Sequence, residues 1–338
     1  MGPKPPVVLY HYDASPISTE IKSILTLKGI PHKRVAVANM PPRPELRMLG
    51  ISYRRIPVLA IGNDIYCDSA LIGPTLERRF PPSEGYGTIF PKRKGGRGSD
   101  SGVIKAYSEF YIKKALSVMV SKSIPVHKFG PAFVKDRSEW WGTEIEDAKV
   151  LEGQYPYNRS ALASHLLLLE EQLEDGREWL MDTESPSLAD ISAHLIFNWV
   201  RFFKALRGVY KEHQYPNVEL WLKRFSEHLE AQQKTSRAVF ENISGEEGAK
   251  FICSSPHQDP TVTGFDEIEA SRLKVALGEI VSVSPSDNGK VPTIGKLVAL
   301  SRQDVVIETM GTEGRSVICH FPRLEYMVQA SSHTRTKL

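Results

Sequence analysis

A proline heads an apolar run in Arg55-Ile56-Pro57-Val58-Leu59, and that placement restricts what the chain can build. Proline has no N–H to give a ladder, so a sheet tolerates it at the first residue of a strand or at an edge. The Ile–Pro bond can be cis there, an isomer that folded structure fixes. The run continues through Val58-Leu59-Ala60-Ile61 to Gly62-Asn63 and then Asp64-Ile65-Tyr66-Cys67. That pattern reads as two strands joined by a two-residue hairpin, since Gly-Asn supplies the positive φ of such a turn. Upstream, Val7-Val8-Leu9-Tyr10 is a short strand. Ile17, Ile21, Ile24 and Leu25 then step at three and four residues, as an amphipathic helix stopped by Gly29 should. Downstream, Asp68-Ser69 opens another helical run that ends near Phe80.

Beyond that unit the pattern changes twice. Pro81-Pro82 and the stretch KRKGGRGSDSG (92–102) form a polar, glycine-rich linker. Its basic cluster can dock phosphate or an acidic partner, and it equally suits a solvated loop. From 103 to about 240 the period is helical, with apolar faces at Leu162, Leu166, Leu169, Leu173 and at Leu188, Ile191, Leu195, Trp199, Phe202. After Gly245, short β-rich runs at 278–283, 295–300, 305–308 and 316–320 suggest a three- or four-stranded antiparallel unit. The expected division is 1–82, a linker at 83–102, a helical domain at 103–245 and a β-rich appendage at 246–338.

Composition narrows the classes of function. Lys and Arg number 43 against 40 Asp and Glu, giving net +3 over 338 residues. This near-balance argues against a self-repelling disordered chain and against a dedicated nucleic-acid binder. Three cysteines, Cys67, Cys253 and Cys319, cannot form a disulfide framework or a four-thiolate zinc site. The apolar run near the N-terminus is short and meets Asp13 at once, so no signal peptide is expected. No apolar stretch is long enough to span a membrane. The expectation is a metal-free cytoplasmic protein.

Candidate chemistry lies at the starts of the two helices. In Ser15-Pro16, serine suits the N-cap and proline the first helical position. Capping accounts for Ser15 by itself; a hydroxyl in the positive potential of a helix N-terminus can also donate to a bound thiolate. A bend at Pro57 would leave backbone groups of Val58 open to an extended peptide ligand. Asp68-Ser69 again fits a cap. It also fits recognition of an amino-acid head group, with Ser69 and helix N–H groups on the carboxylate and Asp68 on the ammonium.

In this order and spacing the segments resemble the N-terminal thioredoxin-like domain of glutathione transferases. Ser15-Pro16-Ile17-Ser18 looks like a redox C-P-x-C turn with both cysteines replaced by serine, which removes dithiol chemistry. The resemblance implies a thioredoxin-like α/β domain followed by an all-α domain, here with a small antiparallel β appendage. It aligns Ser15 with the catalytic serine or cysteine of serine- and cysteine-type members. It implies a glutathione site made of Ser15, Arg55, Ile56, cis Pro57, Val58, Asp68 and Ser69, with Val58 pairing with the glutathione cysteine. A second match, Trp179-Leu180-Met181-Asp182 followed by Ser185-Pro186-Ser187-Leu188-Ala189-Asp190, resembles the family's S/T-x-x-D capping box, whose role is in folding. The chain's ending looks like that of an extended group of fungal glutathione-transferase-like proteins.

Departures from the pattern matter. Gly73-Pro74 interrupts the helix after Ser69. Tyr10, His11 and Tyr12 crowd the place where tyrosine-type members carry their phenol, making Tyr12 a rival to Ser15 as thiolate donor and His11 a pocket-lining residue. Family placement puts the electrophile against Tyr107, Phe110 and Tyr111 with Tyr12 beneath; core packing is the other reading of each aromatic. The resemblance further implies a homodimer; Glu77, Arg78, Arg79 and Phe80 suit its interface and equally suit a solvated helix end. The implied activity is transfer of glutathione to a small hydrophobic electrophile, in detoxification or secondary metabolism. Glutathione-dependent isomerisation, glutathione-independent cyclisation and a non-catalytic binding role fit the same architecture.

Overall fold

A computed structural model of the chain describes residues 4–331 except 97, 143, 146–147, 213, 236 and 312–313. Part of the expected linker (97) and the end of the expected appendage (332–338) lie outside the described residues. The chain opens with β1 (Val7–His11), α1 (Pro16–Lys28), β2 (His32–Ala36) and the short α2 (Pro44–Arg47). It continues with β3 (Val58–Ile61), β4 (Asp64–Cys67) and α3 (Ser69–Arg79). β1 pairs in parallel with β2 and antiparallel with β3, and β3 pairs antiparallel with β4. This is a thioredoxin-like domain. Gly62 supplies the hairpin's left-handed residue at φ 64, and a Cβ there would lie 2.6 Å from the Pro256 carbonyl oxygen. α3 runs unbroken through Gly73 and Pro74, so the expected interruption does not occur.

The helical domain follows: α4 (Ser101–Ala106), α5 (Ser117–Ser121), α6 (Pro131–Trp141), α7 (Ala148–Gly153), α8 (Tyr155–Leu173), α9 (Leu188–Trp199) and α10 (Pro216–Thr235). A π-helical stretch, Tyr107–Leu116, joins α4 to α5 without a break. Ser187 and Asp190 form the capping box at the head of α9. Asp190 Oδ2 accepts from Ser187 N at 2.9 Å and Ser187 Oγ at 2.8 Å. Its other oxygen accepts from Leu180 N and Trp221 Nε1.

The remainder is β5 (Phe240–Asn242), α11 (Gly245–Cys253), α12 (Glu267–Leu273), β6 (Ile280–Pro285), β7 (Thr293–Leu300), β8 (Asp304–Met310), β9 (Ser316–Pro322) and β10 (Tyr326–Ala330). Among the described residues the appendage thus has five strands rather than three or four, and it does not stand apart. β9 pairs in parallel with β4, β5 pairs in parallel with β2, and one ten-stranded sheet results, in order β10-β6-β7-β8-β9-β4-β3-β1-β2-β5. Both edges of the thioredoxin-like sheet are therefore covered by the chain's own strands, which removes two open templates for pairing.

Strand alternation divides the core into two layers. Val7, Leu9, Leu59, Ile61 and Tyr66 face the helical domain, while Val8, Tyr10, Val58, Ala60, Ile65 and Cys67 face a second cluster. That second cluster includes Ala249 and Ile252 of α11 and Val317, Cys319 and Phe321 of β9. Burial on both faces explains why β1, β3 and β4 read as continuous apolar runs. Glu77, Arg79 and Phe80, expected at a dimer interface, are engaged inside the chain. Glu77 binds Lys28 at 2.7 Å, Arg79 binds Asp64 at 3.2 Å, and Phe80 is buried; Arg78 remains exposed.

Candidate functional site

Ladder register brings the candidate segments together. Val58 is opposite Tyr10 on β1 and opposite Cys67 on β4. The chain just past Tyr10 leads to Ser15, the residue before Val58 is Pro57, and the residue after Cys67 is Asp68. All three segments consequently meet at one end of the sheet. The Ile56–Pro57 peptide is cis.

Ser15 caps α1: its Oγ accepts a 3.2 Å bond from Ser18 N. The hydroxyl proton has no acceptor among the described residues. Tyr12 contributes its carbonyl, which accepts from Ser15 N at 3.1 Å. His11 is buried, and its Nδ1 stands 3.6 Å from an exposed Asp13 carboxylate. Burial and the Lys22 charge hold the imidazole below its usual pKa, against the opposing pull of Asp13.

The expectation for Val58 is corrected. It sits inside β3 with strands on both sides, so its backbone does not face an open rim. Ile56, on the far side of the cis bond, stands outside the ladder registers.

Asp68 has a left-handed backbone at φ 83, and its Oδ1 caps α3 by accepting from Ala70 N at 3.0 Å. Its Oδ2 accepts from Tyr326 Oη of β10 at 2.7 Å and from Tyr53 Oη at 3.4 Å, and the two phenols are themselves 3.0 Å apart. Arg55 lies 3.7 Å from the same oxygen. It also donates to the Asp287 carboxylate and, at 2.7 Å, to the Asn288 carbonyl. Those two residues belong to the β6–β7 turn, which rests on Trp140 of α6; Gly289, at φ 63, allows the approach, since a Cβ there would lie 2.4 Å from the indole ring. Arg55 Nε is buried without a partner among the described residues.

Ser69, at the start of α3, is buried, and its Oγ accepts from Lys113 Nζ at 2.9 Å. Lys113 also pairs with Glu20 of α1 at 2.9 Å and with Glu109 at 2.5 Å. Ser192 Oγ donates to the other oxygen of Glu20 at 2.5 Å. Burial pushes the Glu109 carboxyl up to about 7, although the Lys113 charge opposes it. None of Glu20, Glu109, Lys113, Tyr53, Asp287 or Tyr326 was among the sequence candidates. Two of them carried a signal: Glu20 interrupts the apolar face of α1, and Glu109-Lys113 has the i,i+4 spacing of an ion pair.

The expected electrophile pocket is also corrected. Tyr107 stacks on Tyr111 at 5.2 Å, and Tyr111 Oη meets His165 Nδ1 of α8 at 2.8 Å, so both pack within the helical domain. Phe110 is 43% exposed. A cavity of about 490 Å³ lies instead between the start of α1 and the ends of α9 and α10. Ser15, Pro16 and Thr19 line one wall, Leu195 and Trp199 a second, and Leu229 and Gln233 a third. His11, Tyr12, Tyr107, Phe110 and Tyr111 do not line it.

Residues 9–84 match the family described as glutathione S-transferase, N-terminal domain, and residues 115–234 match a domain of unknown function, DUF7962. A glutathione-transferase-like protein from Pseudomonas syringae shares the architecture over 96% of this chain and 99% of that one, with a TM-score of 0.67 and 21% identity. A Tau class glutathione S-transferase from mango covers 65% of this chain and 88% of its own, with a TM-score of 0.48 and 15% identity. A rice glutathione transferase, solved in complex with glutathione, covers 75% and 96%, with a TM-score of 0.46 and 19% identity. No curated protein matches the chain. The match over residues 9–84 and the shared architecture define a glutathione-transferase-like fold: a thioredoxin-like N-terminal domain, a helical domain and an added set of antiparallel strands. Among the described residues no helix is long and apolar enough to cross a membrane.

Proposed function

We propose that the protein is a serine-type, glutathione-dependent transferase in which Ser15 stabilises the bound thiolate and the cavity beside it holds a small hydrophobic electrophile. The observation that carries this reading is the register Tyr10–Val58–Cys67, which gathers the N-termini of α1 and α3 and cis Pro57 at one sheet end. The residues there suit the ligand. Ser15 has a free proton for sulfur, Ile56 has backbone outside the ladders, and Ser69 stands at a helix N-terminus beside a lysine. A free thiol near pKa 8.5 is only a few per cent ionised at neutral pH; a helix N-terminus with a hydroxyl donor lowers that by roughly one to two units. The thiolate sulfur then bonds to the electrophilic carbon, and the displaced group leaves with the bonding electron pair. Homodimer formation and a cytoplasmic setting belong to the same reading.

One observation favours a second reading, glutathione-independent chemistry in the same cavity. Tyr326 and Tyr53 already donate to Asp68, and Asp287 already occupies Arg55. Titration calorimetry with glutathione separates the two. Saturable binding, weakened about tenfold or more in Ser69→Ala, supports the transferase. No heat and no rise in melting temperature at millimolar glutathione overturns it.

A further inference from the structure

Besides Arg55 at the capping Asp68, the α3 N-terminus has a cation bonded to its first residue, and that cation comes from the helical domain. Lys113 Nζ donates to Ser69 Oγ at 2.9 Å while Glu20 and Glu109 hold it at 2.9 and 2.5 Å. Its side chain is only 11% exposed. The direction of the Ser69 bond has a consequence. A hydroxyl oxygen that accepts from an ammonium must send its own proton elsewhere, and no acceptor for that proton exists among the described residues.

We propose that Lys113 is a positioning residue for the ligand's free carboxylate: it fixes the Ser69 hydroxyl as an outward donor and sets a positive charge behind it. This role rests on the proposed glutathione reading and sharpens it. The ligand class becomes peptides whose terminal γ-linked residue keeps an ionised α-carboxylate, and amidated or decarboxylated analogues are discriminated against. Charge balance is compatible with an anion there. Burial raises the Glu109 carboxyl, so the cluster of Glu20, Glu109 and Lys113 is less anionic than its composition suggests.

The test compares two ligands by titration calorimetry: glutathione, and glutathione with its γ-glutamyl α-carboxylate converted to a primary amide. Wild type is expected to prefer the acid by about 10- to 100-fold, the range of a charge-assisted hydrogen bond. Lys113→Met should bring that ratio to within about threefold, Lys113→Arg should restore part of it, and Ser69→Ala should abolish it with the Lys113–glutamate pairs intact. A lysine that merely stabilises the fold would lower the melting temperature and leave the ratio unchanged. A folded Ser69→Ala protein with the wild-type ratio overturns the role even if Lys113→Met does not fold. If wild type binds neither ligand, the glutathione reading itself fails and this role falls with it. If wild type binds both equally, the glutathione reading stands and only the role of Lys113 is lost.

Discussion

Tyr326 of β10 donates a 2.7 Å hydrogen bond to Oδ2 of Asp68, a residue 258 positions earlier in the chain. The appended strands therefore reach the edge of the candidate site and supply a donor where a ligand ammonium would be expected. Tyr326→Phe removes that competitor and leaves Asp68 with Tyr53 and Arg55. The expected result is glutathione binding tightened by about fivefold together with a stability loss of about 1 kcal/mol, from calorimetry and urea denaturation. Unchanged affinity with the same stability loss would mean that the phenol only holds the appendage in place.

A second seam between the appendage and the N-terminal domain runs through His320, whose Nε2 is 3.2 Å from Asp64 and whose Nδ1 is 3.4 Å from Asp304. The imidazole stacks on Tyr66 at 4.5 Å. Burial alone would lower its pKa, but hydrogen bonds and the charges of the two carboxylates raise it above the usual value. A histidine with a raised folded-state pKa stabilises fully below the unfolded value of about 6.5, and the contribution is lost as pH rises through the folded value. Urea midpoints should therefore fall as the pH rises above about 6.5. Glu109, raised to about 7, adds a fall of its own that ends near neutrality, so the comparison is with His320→Gln, in which the part of the slope due to His320 disappears. Parallel pH profiles for the two proteins would contradict this.

Asp190 is fully buried and accepts four hydrogen bonds, from Leu180 N, Ser187 N, Ser187 Oγ and Trp221 Nε1. Asp190→Ala strands all four donors away from water. Each unsatisfied group costs about 1–3 kcal/mol, so a loss of about 3 kcal/mol or more is expected by chemical denaturation. Ser187→Ala, which keeps the carboxylate and most of its donors, should cost about 1 kcal/mol.

The sequence exposed those features whose physics is local. Ser15-Pro16, the Gly62-Asn63 hairpin, Asp68-Ser69 and the Ser187–Asp190 box each have a cap or turn chemistry that a few adjacent residues determine. The long-range partners were hidden. Nothing near Asp68 announces Tyr326, and nothing near Arg55 announces Asp287, because both contacts depend on β9 choosing the β4 edge. The aromatic pocket failed for a different reason. Tyr107 and Tyr111 do share a face and stack, but that face turns toward α8, and the pair turned toward α1 is Glu109 and Lys113. Apolar residues drew attention to the wrong side of this helix, whose centre is wound as a π-helix. Val58 was misplaced by one structural step: the free backbone next to the cis bond lies before the proline, because the residue after it is already locked between two strands.

The claim on which the account depends is that the Ser15 hydroxyl meets a thiolate. The ultraviolet absorbance of bound glutathione, followed against pH, reports it directly. In wild type the bound thiol should titrate roughly one to two units below the free value of about 8.5. Ser15→Ala, which removes the hydroxyl donor, should return it part of the way. The same depressed titration in both proteins, or no saturable thiolate signal in either, would contradict the account.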